Sequence, residues 1–252
     1  MTGDAVTGAA LLELVALMDR LRSPGGCPWD AAQTHRTLTP YLLEEAYEAH
    51  QALVDDDPGA LREELGDVLL QVVFHARLGE EAEPAWSIDD VAGDLIAKLV
   101  RRHPHVFPGR DDAATPRGVD RGVTDAARVL ANWDVIKRAE KQRESILDGV
   151  PAVLPALMLA DTLARKAARA GVPADLLPDA DSHVDPDADG VGSRLFAAVV
   201  AARRAGEDAE GALRSVGTAF RDRVTGAERA ARADGVDPST LDAAGWRRYW
   251  PA

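Results

Sequence analysis

The sequence predicts an all-α protein made of packed helical bundles, and three observations carry that reading. Ala and Leu, the strongest helix formers, abound, while aromatic residues make up only 5% of the 252 residues. Apolar residues recur at spacings of three and four along segment after segment, and no strand-length alternation competes with them. Prolines, glycines and capping residues stand where these segments should begin and end.

Taken in order, Leu14, Leu17 and Leu21 share one face of a helix over residues 11–21, which Ser23-Pro24-Gly25-Gly26 ends. Cys27-Pro28-Trp29-Asp30 follows as a loop, with Trp29 packing it. Thr39-Pro40 opens a helix to Leu53, because proline is tolerated in a first turn, and Leu42, Ala46, Ala49 and Leu53 form its apolar stripe. Asp57-Pro58 opens another, whose broad apolar face comprises Leu61, Leu65, Val68, Leu69, Val72, Val73 and Ala76. Ser87 caps a further helix, with Asp90 placed to bond back to the cap. That helix stops at His103-Pro104, since the residue before a proline disfavours helical geometry. A Gly-, Pro- and Asp-rich loop from Phe107 to about Thr124 leads into a helix from about Asp125 to Ser145.

Asp148-Gly149-Val150-Pro151 marks a boundary, which gives two expected domains, 1–147 and 148–252. Pro155 to Ala170 opens the second. A weak internal repeat aligns Gly66–Arg77 with Gly192–Arg203, and Gly26–Asp30 with Gly171–Asp175, as a tandem duplication would.

With 46% apolar and 28% charged residues the chain has the balance of a folded protein. A net charge of −13 opposes coating of a nucleic acid, although a bound cation and local Lys and Arg can reverse the sign within one cleft. Cys27 is the only cysteine, so neither an internal disulfide nor a Cys-rich zinc site can form. The first ten residues lack a basic segment followed by an apolar one, and no apolar run is long enough to span a bilayer. The expected location is the cytoplasm.

The segments that carry chemistry are Glu44-Glu45-Ala46-Tyr47-Glu48 and Glu63-Glu64-Leu65-Gly66-Asp67. Residues three apart share a helix face, so Glu45 points with Glu48 and Glu64 with Asp67. The connection Asp55-Asp56-Asp57 is short enough to make the two helices antiparallel neighbours. Converging carboxylates repel unless a divalent cation lies between them, and an all-oxygen set suits Mg²⁺, or Mn²⁺ in its place. A lone Glu-x-x-Glu is ordinarily a solvated face; the paired version, at the start of the most apolar helix in the chain, weakens that reading. Gly66 inside that helix costs about 1 kcal/mol against Ala and suits close approach of another backbone or a ligand. A di-iron bundle would need Glu-x-x-His, and the residues three after Glu45 and Glu64 are Glu48 and Asp67.

These motifs resemble the MazG family of all-α nucleoside triphosphate pyrophosphohydrolases, whose pattern is Glu-Glu-x-x-Glu, a spacer and Glu-x-x-Asp. The similarity runs from residue 11 to about 155 through Gly26–Asp30, Pro40–Glu48, Arg62–Ala76, Arg101–Phe107, Asn132-Trp133 and Leu147–Pro151. It implies Glu45, Glu48, Glu64 and Asp67 as metal ligands and Glu44 and Glu63 as neighbouring acids, the candidate proton acceptors. Lys98, Arg101 and Arg102 would hold phosphates, and Trp133 would lie against the nucleoside. Lys98 and Arg102 also make chemical sense unaided, since a triphosphate needs cationic donors on one helix face. His103 and His105 read as structural caps, and Cys27 as a packed thiol.

The implied reaction is Mg²⁺-dependent hydrolysis of an NTP or dNTP to the monophosphate and pyrophosphate, in nucleotide-pool house-cleaning. The alternatives are an all-α pyrophosphohydrolase restricted to dCTP, dUTP or phosphoribosyl-ATP, and a non-enzymatic helical binding protein. The second half departs from the family pattern. Ser193 stands where the repeat would place Asp67, Ala219 where it would place Lys98, and Leu177 to Asp189 replaces the helix that should carry the first acidic motif; Arg223 and Trp246 are retained. A catalytically silent C-terminal half is expected. Leu69, Val72 and Val73 are more apolar surface than one short bundle covers, and a homodimer is the expected assembly.

Overall fold

A computed structural model describes residues 7–109, 145–178 and 190–251, and, between the first two stretches, residues 116, 119–120, 122, 125–126, 128–129, 132–133 and 135–136. Among the described residues there is no strand, as the all-α reading expects. The helices of the first half are α1 (Ala9–Arg22), a single turn α2 (Pro28–Ala31), α3 (Thr39–Val54), α4 (Pro58–Gly79) and α5 (Ile88–Arg102). Those of the second are α6 (Ala156–Arg169), α7 (Val191–Ala205), α8 (Ala209–Ala233) and α9 (Ala243–Tyr249). The chain divides into two compact units, Met1–Glu140 and Lys141–Ala252. The expected helix from 125 to 145 lies largely outside the described residues, those described between 126 and 136 being helical. Residues 110–115 and 179–189 of the expected loops also lie outside them.

Local chemistry sets the helix ends. The Asp57 carboxylate accepts from the Gly59 and Ala60 amides (2.9 and 3.0 Å), satisfying donors that the first turn of α4 would otherwise leave open. Before it the chain turns tightly through Asp56 at φ 52°, a left-handed conformation that aspartate tolerates better than most residues. Ser87 and Asp90 form the expected reciprocal box at the start of α5: the Ser87 amide donates to the Asp90 carboxylate (2.7 Å), and the Asp90 amide to the Ser87 hydroxyl (3.4 Å). Pro28 starts one helical turn where a loop was expected.

In the first unit, α4 is the central element, packed on α1, α3 and α5. Its core joins Met18 and Leu38 to Val73, Phe74 and Leu78, with Leu14, Val15, Leu21, Leu70 and Ile88 packed around them. Burial corrects two expected apolar faces. On α3 the buried residues are Ala49 and Ala52, while Leu53 is 62% exposed and Leu42 also faces outwards. On α4, Val73 is buried as expected, but Leu65, Leu69 and Val72 are exposed. α3 packs against α4, and the side chains that α3 buries are small.

Arg22 ties the ends of three elements together. Its guanidinium makes a two-pronged pair with Glu81 (3.1 and 2.9 Å), donates to the Asp30 and Gln33 carbonyls, and lies over the Phe74 ring. The stretch between α2 and α3 is thereby held against the end of α4. In the second unit the buried side chains are mostly alanines (Ala160, Ala164, Ala197, Ala227, Ala231) with Val199 and Val200, and Arg203 pairs with Asp161 between α6 and α7 (3.1 Å).

Candidate active site

The short Asp55–Asp57 connection folds α4 back along α3, and their acidic turns meet. One carboxylate oxygen from each of Glu45, Glu48 and Glu64 lies within 4.8 Å of the others. Glu45 and Glu64 are half-buried and Glu48 is exposed. Asp67 stands beside the trio rather than in it, close enough that its charge raises the pKa of both Glu45 and Glu64. Partial loss of water is the first cause of both upward shifts. For Glu45 the Asp67, Glu48 and Glu44 carboxylates follow, and for Glu64 those of Glu48, Asp67 and Glu63. Six expected site acids thus share one electrostatic neighbourhood.

The trio suits a hard cation. Oxygens about 2.1 Å from Mg²⁺ in octahedral array are about 3 Å apart when adjacent and about 4 Å when opposite, inside the observed spread. Carboxylates alone, with no thiolate or imidazole among them, favour Mg²⁺ or Mn²⁺ over zinc or copper.

The basic residues sit on α5, which packs against α4. Lys98 is exposed, whereas Arg101 and Arg102 are half-buried. The Trp133 indole donates to the Arg102 carbonyl (2.9 Å) and meets His103 edge-on (5.2 Å), which fixes the half-buried ring at the exit of α5. His103 caps that helix, its Nδ1 bonded to the Leu99 carbonyl (2.7 Å), the structural role expected of it. Asn132 is buried and clamps the Asp120 backbone through both ends of its amide (3.0 and 2.7 Å). Trp29 is 52% exposed and meets Tyr41 edge-on. Cys27 is half-buried and free.

A polar stripe that was not expected continues down α4 from the acids. Glu64, Asp67, Gln71 and His75 follow at spacings of three and four and therefore share one face. His75 Nδ1 lies 2.8 Å from Nδ1 of His35, with the ring planes 3° apart. That distance is shorter than the gap of about 3.5 Å between stacked faces, so the rings meet edge to edge in one plane, as an N–H···N bond requires. Desolvation and then the nearby His35 hold His75 below the ordinary histidine range. The sequence signal for this stripe, polar residues at helical spacing inside an apolar helix, was present but unread.

Residues 33–107, which contain all the acids and α5 cations of this site, match the MazG nucleotide pyrophosphohydrolase domain. The chain is 36% identical over 259 residues to the nucleoside triphosphate pyrophosphohydrolase of Escherichia coli K12, covering 94% of each. It is 40% identical over 228 residues to the nucleoside triphosphate pyrophosphohydrolase of Mycobacterium tuberculosis, covering 90% of this chain and 61% of that longer protein. An uncharacterized 26.1 kDa protein of Streptomyces cacaoi is 46% identical over 225 residues, 88% of this chain and 84% of that one. An all-α hydrolase is the class that fold, acids and likeness define. The chain belongs to the MazG nucleotide pyrophosphohydrolase family, and the reading as a non-enzymatic binding protein falls away.

Proposed function

We propose that this chain hydrolyses nucleoside triphosphates, NTP or dNTP, to the monophosphate and pyrophosphate in a Mg²⁺-dependent reaction, as nucleotide-pool house-cleaning in the cytoplasm. The observation that carries the reading is the convergence of Glu45, Glu48 and Glu64 from two helices onto one point. With Asp67 they would hold Mg²⁺, or Mn²⁺ in its place. A divalent cation there supplies charge neutralisation for the phosphates and acidifies water.

The chain's own residues do the rest. Glu44 or Glu63 takes the proton from the attacking water, whose oxygen bonds to the α-phosphorus as the bond to the β-bridging oxygen breaks. Lys98, Arg101 and Arg102 orient the triphosphate and neutralise charge growing on the departing pyrophosphate. Trp133 bounds the nucleoside side. Residues 1–147 are the catalytic domain in this reading, and 148–252 a silent half that serves assembly or regulation. The exposed Leu65, Leu69 and Val72 of α4 supply an apolar face for a homodimer.

The test is pyrophosphate release across a panel of natural and oxidised NTPs and dNTPs with Mg²⁺. Turnover of several bases supports this reading. Turnover confined to dCTP, dUTP or phosphoribosyl-ATP replaces it with the narrower enzyme, and no pyrophosphate from any of them refutes both.

A further inference from the structure

Two buried polar atoms on α4 lack hydrogen-bond partners among the described residues, and they are complementary. Gln71 is 5% exposed, and its Oε1 is unpartnered; the same is true of Nε2 on half-buried His75, one turn further along the same face. A buried polar group without a partner is rare enough in native proteins to need a reason. These two groups, an acceptor and an imidazole nitrogen at i and i+4, share one helix face, where side-chain rotation can bring them together.

The histidine pair decides which way the protons run. In the Nδ1···Nδ1 bond between His35 and His75 one ring donates and the other accepts. If His75 donates, its Nε2 is a bare acceptor facing another acceptor, and both orphans stay unsatisfied. If His35 donates, His75 takes the Nε2–H form and can donate to Gln71 Oε1. With the Gln71 amide oriented as it stands, only that arrangement satisfies both atoms. It leaves the Gln71 amide N–H groups for the residue one turn up the same stripe, Asp67, at the spacing at which Gln and Asp side chains bond on a helix.

We propose that His35, His75 and Gln71 form a hydrogen-bonded relay that positions the Asp67 carboxylate for the divalent cation. The relay rests on the reading of Glu45, Glu48, Glu64 and Asp67 as a cation site. It accounts for Asp67 standing beside the carboxylate trio rather than in it: the carboxylate swings in when the cation arrives, and the Gln71 amide holds it there. Gln71 and His75 touch neither substrate nor reacting atoms, so they are positioning residues. Partners of this kind fix the orientation of a metal ligand, and their loss typically weakens metal binding by about 10–100-fold.

The experiment is Mn²⁺ binding by calorimetry to the full, nucleotide-free chain, with thermal melts of each variant in EDTA. Gln71→Leu is expected to weaken Mn²⁺ binding by about tenfold or more, a loss that its metal-free Tm separates from simple unfolding. His75→Phe shifts affinity the same way by less, and in an Asp67→Asn background Gln71→Leu produces no further loss. Nitrogen-15 NMR of the wild-type protein, which needs no variant to fold, shows the Nε2–H form of His75. Wild-type Mn²⁺ affinity in Gln71→Leu, an undiminished effect in the Asp67→Asn background, or the Nδ1–H form of His75 overturns the relay while leaving the cation site standing. Absence of Mn²⁺ binding to the wild type overturns both.

Discussion

Glu48 on α3 and Glu64 on α4 bring carboxylate oxygens within 4.8 Å of each other, and the Glu48 charge helps to hold the Glu64 pKa above its ordinary value. The metal-free site therefore holds its acids together against their own charge. A divalent cation binding only the folded state stabilises it by about 2.7 kcal/mol at a hundred times its Kd. For a domain of this size that corresponds to a rise in Tm of roughly 5–10 °C. Mg²⁺ or Mn²⁺ is expected to raise the Tm accordingly, and Glu48→Gln with Glu64→Gln to abolish the rise while increasing the metal-free Tm. A variant that still responds to Mg²⁺ would remove these two residues from the cation site.

The pH dependence follows from the same crowding. Glu45 and Glu64 have folded pKa values above the 4.5 of an ordinary glutamate, so the folded state retains protons that the unfolded chain has released. Their contribution is fully present below pH 4.5 and is lost as pH rises through the raised values. Glu81 works in the opposite sense. The Arg22 hydrogen bond lowers its pKa, giving stability that is present above pH 4.5 and lost as pH falls through the lowered value. In EDTA, Glu45→Gln with Glu64→Gln should therefore gain Tm over the wild type as pH rises above 4.5, reaching a plateau once pH has passed the raised values. With Mg²⁺ present the wild type should overtake it. A difference flat in pH would mean that these two groups titrate normally.

Gly79 and Trp86 give a sharper test of packing. A Cβ on Gly79 would fall onto the Cδ2 and Cε2 atoms of the indole and 2.7 Å from Cε3, while the Trp86 amide donates to the Gly79 carbonyl (3.0 Å). Trp86 also lies nearly parallel to His35, so a displaced indole disturbs the histidine pair. Overpacking of this kind costs about 1–3 kcal/mol, against which the better helix propensity of Ala returns at most about 1 kcal/mol. Gly79→Ala should lower the Tm by a few degrees in a thermal melt. An unchanged Tm would show that the indole can move aside without loss.

What could be read from the sequence was local. The Ser87–Asp90 box, the Asp57 cap, the proline starts and the Glu45/Glu48 and Glu64/Asp67 pairs all lie within one helical turn, where spacing alone decides geometry. The misread features depend on partners far along the chain. Leu53 and Leu65 look like core residues by periodicity, but α3 buries Ala49 and Ala52 instead and the leucines are left outside. Gly66, a glycine inside a helix, suits a close approach by sequence, yet a Cβ there meets nothing within 4 Å; the close approach is at Gly79. The edge-to-edge pair of His35 and His75 joins residues 40 apart, and the Arg22–Glu81 pair residues 59 apart. Neither has a periodic trace in the sequence.

The second unit supplies the last prediction. Its α7 aligns with α4 in the internal repeat, but Ser193 takes the place of Asp67 and Ala197 that of Gln71, and small residues line its core. Among the described residues, the acidic cluster of Glu45, Glu48 and Glu64 has no counterpart there. Ser193 offers a hydroxyl, which is neutral and cannot replace a carboxylate as an anionic ligand. If the two units worked independently, removing the first site would leave residual turnover. Among its described residues the second unit has no carboxylate cluster to hold the cation. Glu45→Ala with Glu64→Ala in the full chain is therefore expected to lose metal-dependent pyrophosphate release altogether, with the second unit still folded by circular dichroism. Retention of even a tenth of wild-type turnover would show that the C-terminal unit contributes a site of its own.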